Sequence, residues 1–410
     1  MSLVVQKYGG SSVADPEKVR NVALRVVDTA AQGHQLVVVV SAMGKTTDTL
    51  LTLAQQISCS PAPRELDMLL TTGEQTSIAL LTMAIQSLGR AARSFTGAQV
   101  RVYTDARHGQ AHIRKIDSAR LQRALKAGEV AVVAGFQGIT DEDEITTLGR
   151  GGSDLTAVAL AAALKADVCE IFTDVDGVYT ADPAIVRDAR KLGRISHDEM
   201  LEMASLGAKV LQSRSVEFAK KYGVPIHVRS SFKPDSGTLV TREEHGMEDV
   251  LVTGVTHDQD QAKVSILKVP DRPGIAAQVF GALAAENVVV DMIVQNISRD
   301  GYTDISFTLA REDRAKAVAA LQAVAPRIGA QGVTSDDLVA KVSIVGLGMR
   351  SHSGIAARTF SALAKEGINI QMISTSEIAV SCVIEDKYTE LAVRTLHEAF
   401  ELGKEQGTAE

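Results

Sequence analysis

Apolar residues over the first 245 positions fall into two kinds of run. Short β-branched stretches, "LVVQKY" (3–8), "QLVVVVSAMG" (35–44), "EVAVVAGFQG" (129–138), "ADVCEIFTDVDG" (166–177) and "PIHVRSS" (225–231), read as buried strands. Helix-length amphipathic stretches lie between them, and this alternation predicts a parallel or mostly parallel α/β sheet. The first helix shows the pattern most plainly. Asp15 is placed to cap it, Pro16 takes the first helical position, and Val19, Val22, Ala23, Val26 and Ala30 form one apolar face that would cover the sheet. Several strands end in Gly or Ser, where the chain would turn above the strand tips. Ligands of open α/β sheets bind at those tips.

The last third has a different pattern, an internal repeat. Gly274, Ile275, Ala276, Phe280, Leu283, Glu286, Met292 and Ile293 recur at a constant offset as Gly354, Ile355, Ala356, Phe360, Leu363, Glu366, Met372 and Ile373. Each copy reads strand, helix, strand, strand, helix. The second copy runs out of chain after its last helix, whereas "VLVTGVTHD" (250–258) precedes the first copy without a partner. The expected layout is therefore a domain over 1–245, a small α+β domain over 263–335, and a second made of 250–258 with 340–410, the first small domain being inserted into it.

The bulk numbers narrow the class. A chain of 410 residues is too long for one ordinary core. With 45% apolar and 23% charged residues it is globular in composition. Its net charge of −7, with Lys and Arg spread evenly, leaves no electrostatic footprint for nucleic acid or an anionic membrane. Cys59, Cys169 and Cys382 lie far apart with no Cys-x-x-Cys pair, so reduced thiols are expected, and neither a disulfide framework nor a zinc site. No export signal or membrane span is apparent, so the expected location is cytoplasmic.

Four segments of the first domain couple a strand end to small residues that let backbone N–H groups approach an anion: "KYGGSS", "SAMGKTTD", "TLGRGGSDLTA" and "TDVDGVYTADP". "GRGGSD" says most. Gly151 and Gly152 permit a tight turn, the following helix aims its positive end at that turn, and Arg150 adds a fork for a carboxylate or phosphate. Asp154 reads either as ordinary first-turn helix chemistry or as a carboxylate orienting Lys7 or a metal-bound nucleotide. Lys7 itself follows apolar residues in a strand expected to be central, and a lysine there calls for an anionic partner at the sheet tip. Phosphoryl transfer supplies one, since its catalysis is largely the positioning and neutralising of charge. Asp174, Asp176 and Asp182 suit ribose hydroxyls or magnesium-bound water, although turn chemistry explains Asp176 and Asp182 equally well. Glu74, following Gly73 at an apparent helix start, reads as a dipole cap or as a contact to a substrate ammonium. The histidines show no metal-ligand spacing, and no Ser-His-Asp elbow is present.

Together "KYGGSS", "SAMGKTTD", "TTGE", "TLGRGGSDLTA", "TDVDGVYTADP" and the paired C-terminal units resemble a monofunctional bacterial aspartate kinase, in order and across essentially the whole chain. The resemblance implies an amino-acid kinase domain, a three-layer α/β/α sandwich, followed by two ACT domains of βαββαβ type. It implies transfer of the γ-phosphoryl of ATP to the side-chain carboxylate of L-aspartate with Mg2+, the first step toward lysine, threonine, methionine and diaminopimelate. By the same resemblance Lys7 and Asp154 would be catalytic. Thr47, Glu74, Arg150, Gly151, Gly152 and Ser153 would hold aspartate. Lys7, Tyr8, Gly9, Gly10, Ser41, Thr173, Asp174, Tyr179, Asp182 and Lys209 would meet the nucleotide.

Effector contacts, for lysine and threonine, would come from Asp271, Gly274, Ile275, Ala276, Asp291, Gln295 and Asn296 in the first ACT unit. In the second they would come from Ser353, Gly354, Ile355, Asn369, Ile370, Thr375, Ser376 and Glu377. A homo-oligomer through the ACT units is expected, with Met247 a candidate internal start for a shorter regulatory chain. The magnesium ligands are left open. Leu155, Ala184, Val289 and Ser353 stand where relatives commonly carry other residues, and "KVLQSRS" lacks a histidine and a proline often found there. Two alternatives remain: a kinase acting on glutamate or N-acetylglutamate, and a non-catalytic amino-acid sensor. A fusion to homoserine dehydrogenase is set aside for want of a dinucleotide fingerprint.

Overall fold

The computed structural model describes residues 2–242, 252–295, 301–350 and 354–404. These form two compact units, one built from 2–178, 191–204 and 209–242, the other from 179–190, 205–208 and 252–404. Asn296, Ser353 and Met247 lie outside the described residues.

The first unit contains strands β1 (Leu3–Tyr8), β2 (Gln35–Val40), β3 (Ala92–Phe95), β4 (Val102–Thr104), β5 (Ile113–Ile116), β6 (Val130–Ala134), β7 (Gln137–Ile139), β8 (Ile145–Thr147), β9 (Val168–Thr173), β10 (Arg194–Ser196), β11 (Ile226–Ser230) and β12 (Thr238–Thr241). Its helices are α1 (Pro16–Ala31), α2 (Thr46–Ile57), α3 (Pro63–Ser87), α4 (Ala119–Lys126), α5 (Gly152–Leu164), α6 (His197–Ser205) and α7 (Ser213–Tyr222). The main sheet has the order β10-β12-β11-β9-β1-β2-β6-β3, and only the β11–β12 pairing is antiparallel. A smaller sheet, β5-β4-β7-β8, stands beside it.

Strand β1 runs between β2 and β9, which makes it central. Because side chains alternate along a strand, Val4 and Tyr8 face α1 and α3 in one core, with Val19, Val22, Ala23, Val26, Ala30, Ile78, Leu81 and Ile85. Lys7 lies on the opposite face, where α5 packs. Helices thus cover both sides, as the unbroken apolar runs of β2 and β6 require. Asp15 caps α1 by accepting the Lys18 amide at 2.9 Å, and the five apolar positions expected on that helix are all buried.

The second unit carries β13 (Gly254–Pro270), α8 (Ile275–Ala285), β14 (Val290–Gln295), β15 (Tyr302–Ala310), α9 (Arg314–Ile328), β16 (Gly332–Val345), α10 (Ile355–Lys365), β17 (Met372–Thr375), β18 (Ala379–Glu385) and α11 (Thr389–Ala399). One six-stranded sheet has the order β14-β15-β13-β16-β18-β17. The two long strands serve both halves. Residues 254–258 of β13 pair with 341–345 of β16, and beyond register shifts at Asp258 and Gln261, residues 263–267 pair with 332–336. Two cores result, one under α8 and α9 and one under α10 and α11. The core under α10 and α11 also takes in Ala181 and Val186, so the segment 179–190 is packed as part of this unit.

Candidate active site

The turns at the tips of β1 and β2 are tied together before any side chain acts. The Ser41 amide donates to the Tyr8 carbonyl at 3.1 Å, and the Gly44 amide donates to the Gly10 carbonyl at 3.0 Å. A Cβ on Gly10 would stand 2.8 Å from the Ala42 carbonyl oxygen, so only glycine fits between these turns. Lys7 and Asp154 meet across this floor. The lysine Nζ lies 2.5 Å from Asp154 Oδ1, with side chains only 10% and 12% exposed. Asp154 sits in the first turn of α5, whose N-terminal N–H groups add positive potential at the same place.

The turn that leads into α5 is shaped by glycine. Gly151 has φ +71° and precedes the helix. Ser153 packs so closely on Gly135 that a Cβ there would stand 2.5 Å from the serine Oγ. Next to Gly135, Phe136 has φ +69°, a strained value for a bulky residue, and its amide donates to Thr156 Oγ1 at 3.1 Å. Arg150 is exposed at the same turn.

Glu74 reaches the same turns from α3. It lies in the middle of the 25-residue helix α3, which corrects the expected helix start at Gly73. Gly73 is there for close approach: a Cβ on it would stand 2.8 Å from the Ala42 Cβ. That contact brings Glu74 Oε1 within 3.0 Å of the Ala42 amide, while Oε2 is buried with no hydrogen-bond partner among the described residues. Burial pushes the carboxyl up to about 7, against the lowering effect of the backbone hydrogen bonds. A buried carboxylate with one open oxygen is suited to a cation brought by a ligand.

Residues 2–230 match the amino acid kinase family, and residues 264–326 and 342–400 each match the ACT domain. An aspartate kinase of Stutzerimonas stutzeri is 57% identical over the whole of both chains. An aspartokinase of Mycolicibacterium smegmatis is 57% identical over 98% of this chain and 97% of its own. The crystal structure of E. coli aspartokinase III in complex with aspartate and ADP superposes with a TM-score of 0.82 at 26% identity, covering 97% of this chain and 99% of that one. The chain belongs to the aspartate kinases.

This kinase transfers the γ-phosphoryl of ATP to the side-chain carboxylate of L-aspartate. Lys7, Gly9, Gly10, Ser41, Glu74, Ser153 and Asp154 are gathered around the tips of β1 and β2, and Thr47 lies half-buried in the first turn of α2. Thr173 ends β9 beside β1, and its hydroxyl donates to Asp174 Oδ1 at 3.0 Å. Lys209 is exposed between α6 and α7. Tyr8 departs from expectation. Its ring is fully buried, stacked on Phe172 at 4.7 Å, and its hydroxyl donates to Gln6 Oε1, so the side chain packs the sheet against α1 and has no face for a nucleotide.

Tyr179 and Asp182 fall in the second unit. Asp182 Oδ1 accepts the Ala184 amide at 2.8 Å, the turn role its sequence allowed. Within that segment Thr180 Oγ1 pairs with His397 Nε2 of α11 at 3.0 Å. Gly274 and Gly354 take φ +91° and +103° at the starts of α8 and α10, with open space around them. Ile275 and Ile355 turn into the two cores. Asp271, Ala276, Gln295, Asn369 and Thr375 are exposed, and Ile370 is partly buried. Ser376 and Glu377 are exposed in the turn between β17 and β18. Asp291 is paired with Lys341, a fully buried lysine of β16, and Lys263 Nζ donates to Gln371 Oε1 at 2.6 Å.

Sequence reasoning missed Asp67. With Leu70, Thr71, Glu74, Ile78 and Leu81 it lies on the buried stripe of α3, and a carboxylate at such a position in an apolar helical pattern was the available signal. Among the described residues, no helix is long and apolar enough to cross a membrane.

Proposed function

We propose that the cleft between the tips of β1 and β2 and the start of α5 holds aspartate and the triphosphate end to end. Lys7 and Asp154 are the catalytic pair, and Glu74 and Arg150 are the grips on aspartate. The observation that carries this reading is that the Lys7–Asp154 ion pair and the half-paired carboxylate of Glu74 are both held at the linked glycine turns after β1 and β2. The Lys7 ammonium neutralises the equatorial oxygens of the moving phosphoryl, and Asp154 holds the ammonium in place. Arg150 takes the α-carboxylate with its fork, while Glu74 receives the α-ammonium. Thr47, Gly151, Gly152 and Ser153 line the aspartate side. Gly9, Gly10, Ser41, Thr173, Asp174 and Lys209 line the nucleotide side.

An oxygen of the aspartate side chain attacks Pγ, the bond from Pγ to the β–γ bridging oxygen breaks, and ADP leaves with that electron pair. Among the described residues no group of three or more His, Cys, Asp or Glu side chains could hold a metal ion. Magnesium brought with the nucleotide would supply further charge neutralisation at the phosphates, beside the Lys7 ammonium.

The same reading makes the ACT units a feedback sensor for lysine and threonine, acting by differential affinity for active and inactive states, in a homo-oligomer. The domain layout that goes with it is 1–245, 263–335, and 250–258 with 340–410, except that 179–190 and 205–208 belong to the second compact unit. The test is initial rate with aspartate against glutamate and N-acetylglutamate, at fixed ATP, with lysine and threonine alone and combined. Turnover of aspartate alone, with inhibition, supports the reading. Comparable turnover of either other acceptor would defeat the aspartate assignment.

A further inference from the structure

Asp67 is only 1% exposed, and the donors it meets come from the end of β8, which leads to Arg150, and from the turn at His108 and Gly109. Its Oδ1 accepts the Thr147 hydroxyl at 2.6 Å and the Gly109 amide at 3.0 Å. Its Oδ2 meets the Thr147 amide at 3.1 Å, the Gly109 amide at 3.1 Å and His108 Nδ1 at 2.8 Å. Thr147 is the last residue of β8, three positions before Arg150. The His108–Gly109 turn presses on the same segment from outside, since a Cβ on Gly149 would stand 3.0 Å from the Gly109 carbonyl oxygen. Asp67 and Glu74 are seven residues apart on α3, two helical turns, and so share its buried face.

One carboxylate therefore fastens the strand that delivers Arg150 to the helix that delivers Glu74. An apolar residue would fill the space more cheaply than a buried charge needing this many donors. The far flank of the turn is held separately, by Arg214, whose guanidinium donates to the carbonyls of Leu148 at 2.7 Å and Ala111 at 3.0 Å.

We propose that Asp67 is a positioning residue for aspartate, setting the spacing between the Arg150 turn and Glu74 through the two hydrogen bonds it accepts from Thr147. This rests on the reading of Glu74 and Arg150 as the two grips on the substrate. A mispositioned grip costs aspartate binding and leaves the nucleotide side untouched, whereas a general packing defect costs both.

The test is steady-state kinetics and thermal unfolding of Thr147→Val, Thr147→Ser, Asp67→Asn and the Asp67→Asn/Thr147→Val double variant, in the full chain, with Arg150→Ala as control. Thr147→Val is expected to raise the KM for aspartate about tenfold while the KM for ATP stays within about twofold, in line with the cost of a small displacement of a binding group. Thr147→Ser, which keeps the hydroxyl, should restore it, and the double variant should bind aspartate no worse than Asp67→Asn alone. Should Asp67→Asn fail to fold, the Val and Ser pair still decides. Equal changes in both KM values, or an unchanged aspartate KM in Thr147→Val, would overturn the proposal. An unchanged aspartate KM in Arg150→Ala would overturn the grip reading, and this one with it.

Discussion

Gly73 and Ala42 stand so close that a methyl on the glycine would lie 2.8 Å from the alanine Cβ. That contact joins α3 to the turn after β2, and it allows the next residue, Glu74, to take the Ala42 amide.

Gly73→Ala sets two effects against each other. Alanine in a helix interior gains about 1 kcal/mol in propensity, while overpacking a tight contact costs about 1–3 kcal/mol. The contact is expected to win, because the neighbour on the other side is a buried residue in a fixed turn. A lowered Tm and a raised KM for aspartate are expected. A raised Tm with unchanged KM would show that the approach is not needed.

Glu74 makes activity and stability depend on pH in opposite directions. Its carboxyl titrates near 7 in the folded chain, against an ordinary value of 4.5. The folded state therefore holds the proton more tightly, and stability falls as pH rises from about 4.5 through about 7, by about 3 kcal/mol for a shift of this size. The same ionisation creates the anion that meets the substrate ammonium, so kcat/KM for aspartate should rise across pH 7. In Glu74→Gln the rise in kcat/KM should vanish and the fall in stability due to this carboxyl should be lost, leaving the opposite contribution of His197 and His397, whose imidazoles burial holds below their usual range. Chemical denaturation and initial rates across pH 4.5 to 8 check this, and a Gln variant that keeps the rise in kcat/KM would assign the titration elsewhere.

The ion pair of Lys7 and Asp154 predicts a split between stability and turnover. Removing either partner leaves a buried charge uncompensated, at a cost of about 3–5 kcal/mol. The Lys7→Met/Asp154→Asn double variant should recover most of that stability but none of the activity. Recovery of both would make the pair structural.

Much of this was legible in the chain. The apolar runs of β1, β2, β6, β9 and β11 identified the sheet, because a strand buried on both faces has no other use for such a sequence. Lys7 was legible as the one charge in the β1 run, in a strand expected to be central. In sequence Gly73 looks like punctuation, which puts Glu74 at an apparent helix start, whereas both lie inside α3. Its actual role, a close approach to a turn thirty residues earlier in the chain, is a tertiary fact. Tyr8 shared the motif of Lys7 but alternates to the other face. The packing of 179–190 in the second unit, through Ala181, Ile185, Val186 and Ala189 and the bond from Thr180 to His397, is a tertiary fact of the same kind, since the segment forms no helix or strand whose period would announce it.

Gln295 is exposed at the end of β14. Gln295→Ala should weaken inhibition by lysine or threonine with little change in the uninhibited rate. Inhibition curves identical to those of the unaltered chain would move the effector site elsewhere.

The most direct measurement is turnover of Lys7→Met at saturating aspartate and ATP, with ADP affinity measured on the same preparation. Loss of about 10³ in kcat, the scale set by removing one preorganised charge from a transition state, is expected with ADP affinity largely kept. A kcat within a few-fold of the unaltered enzyme would contradict the account.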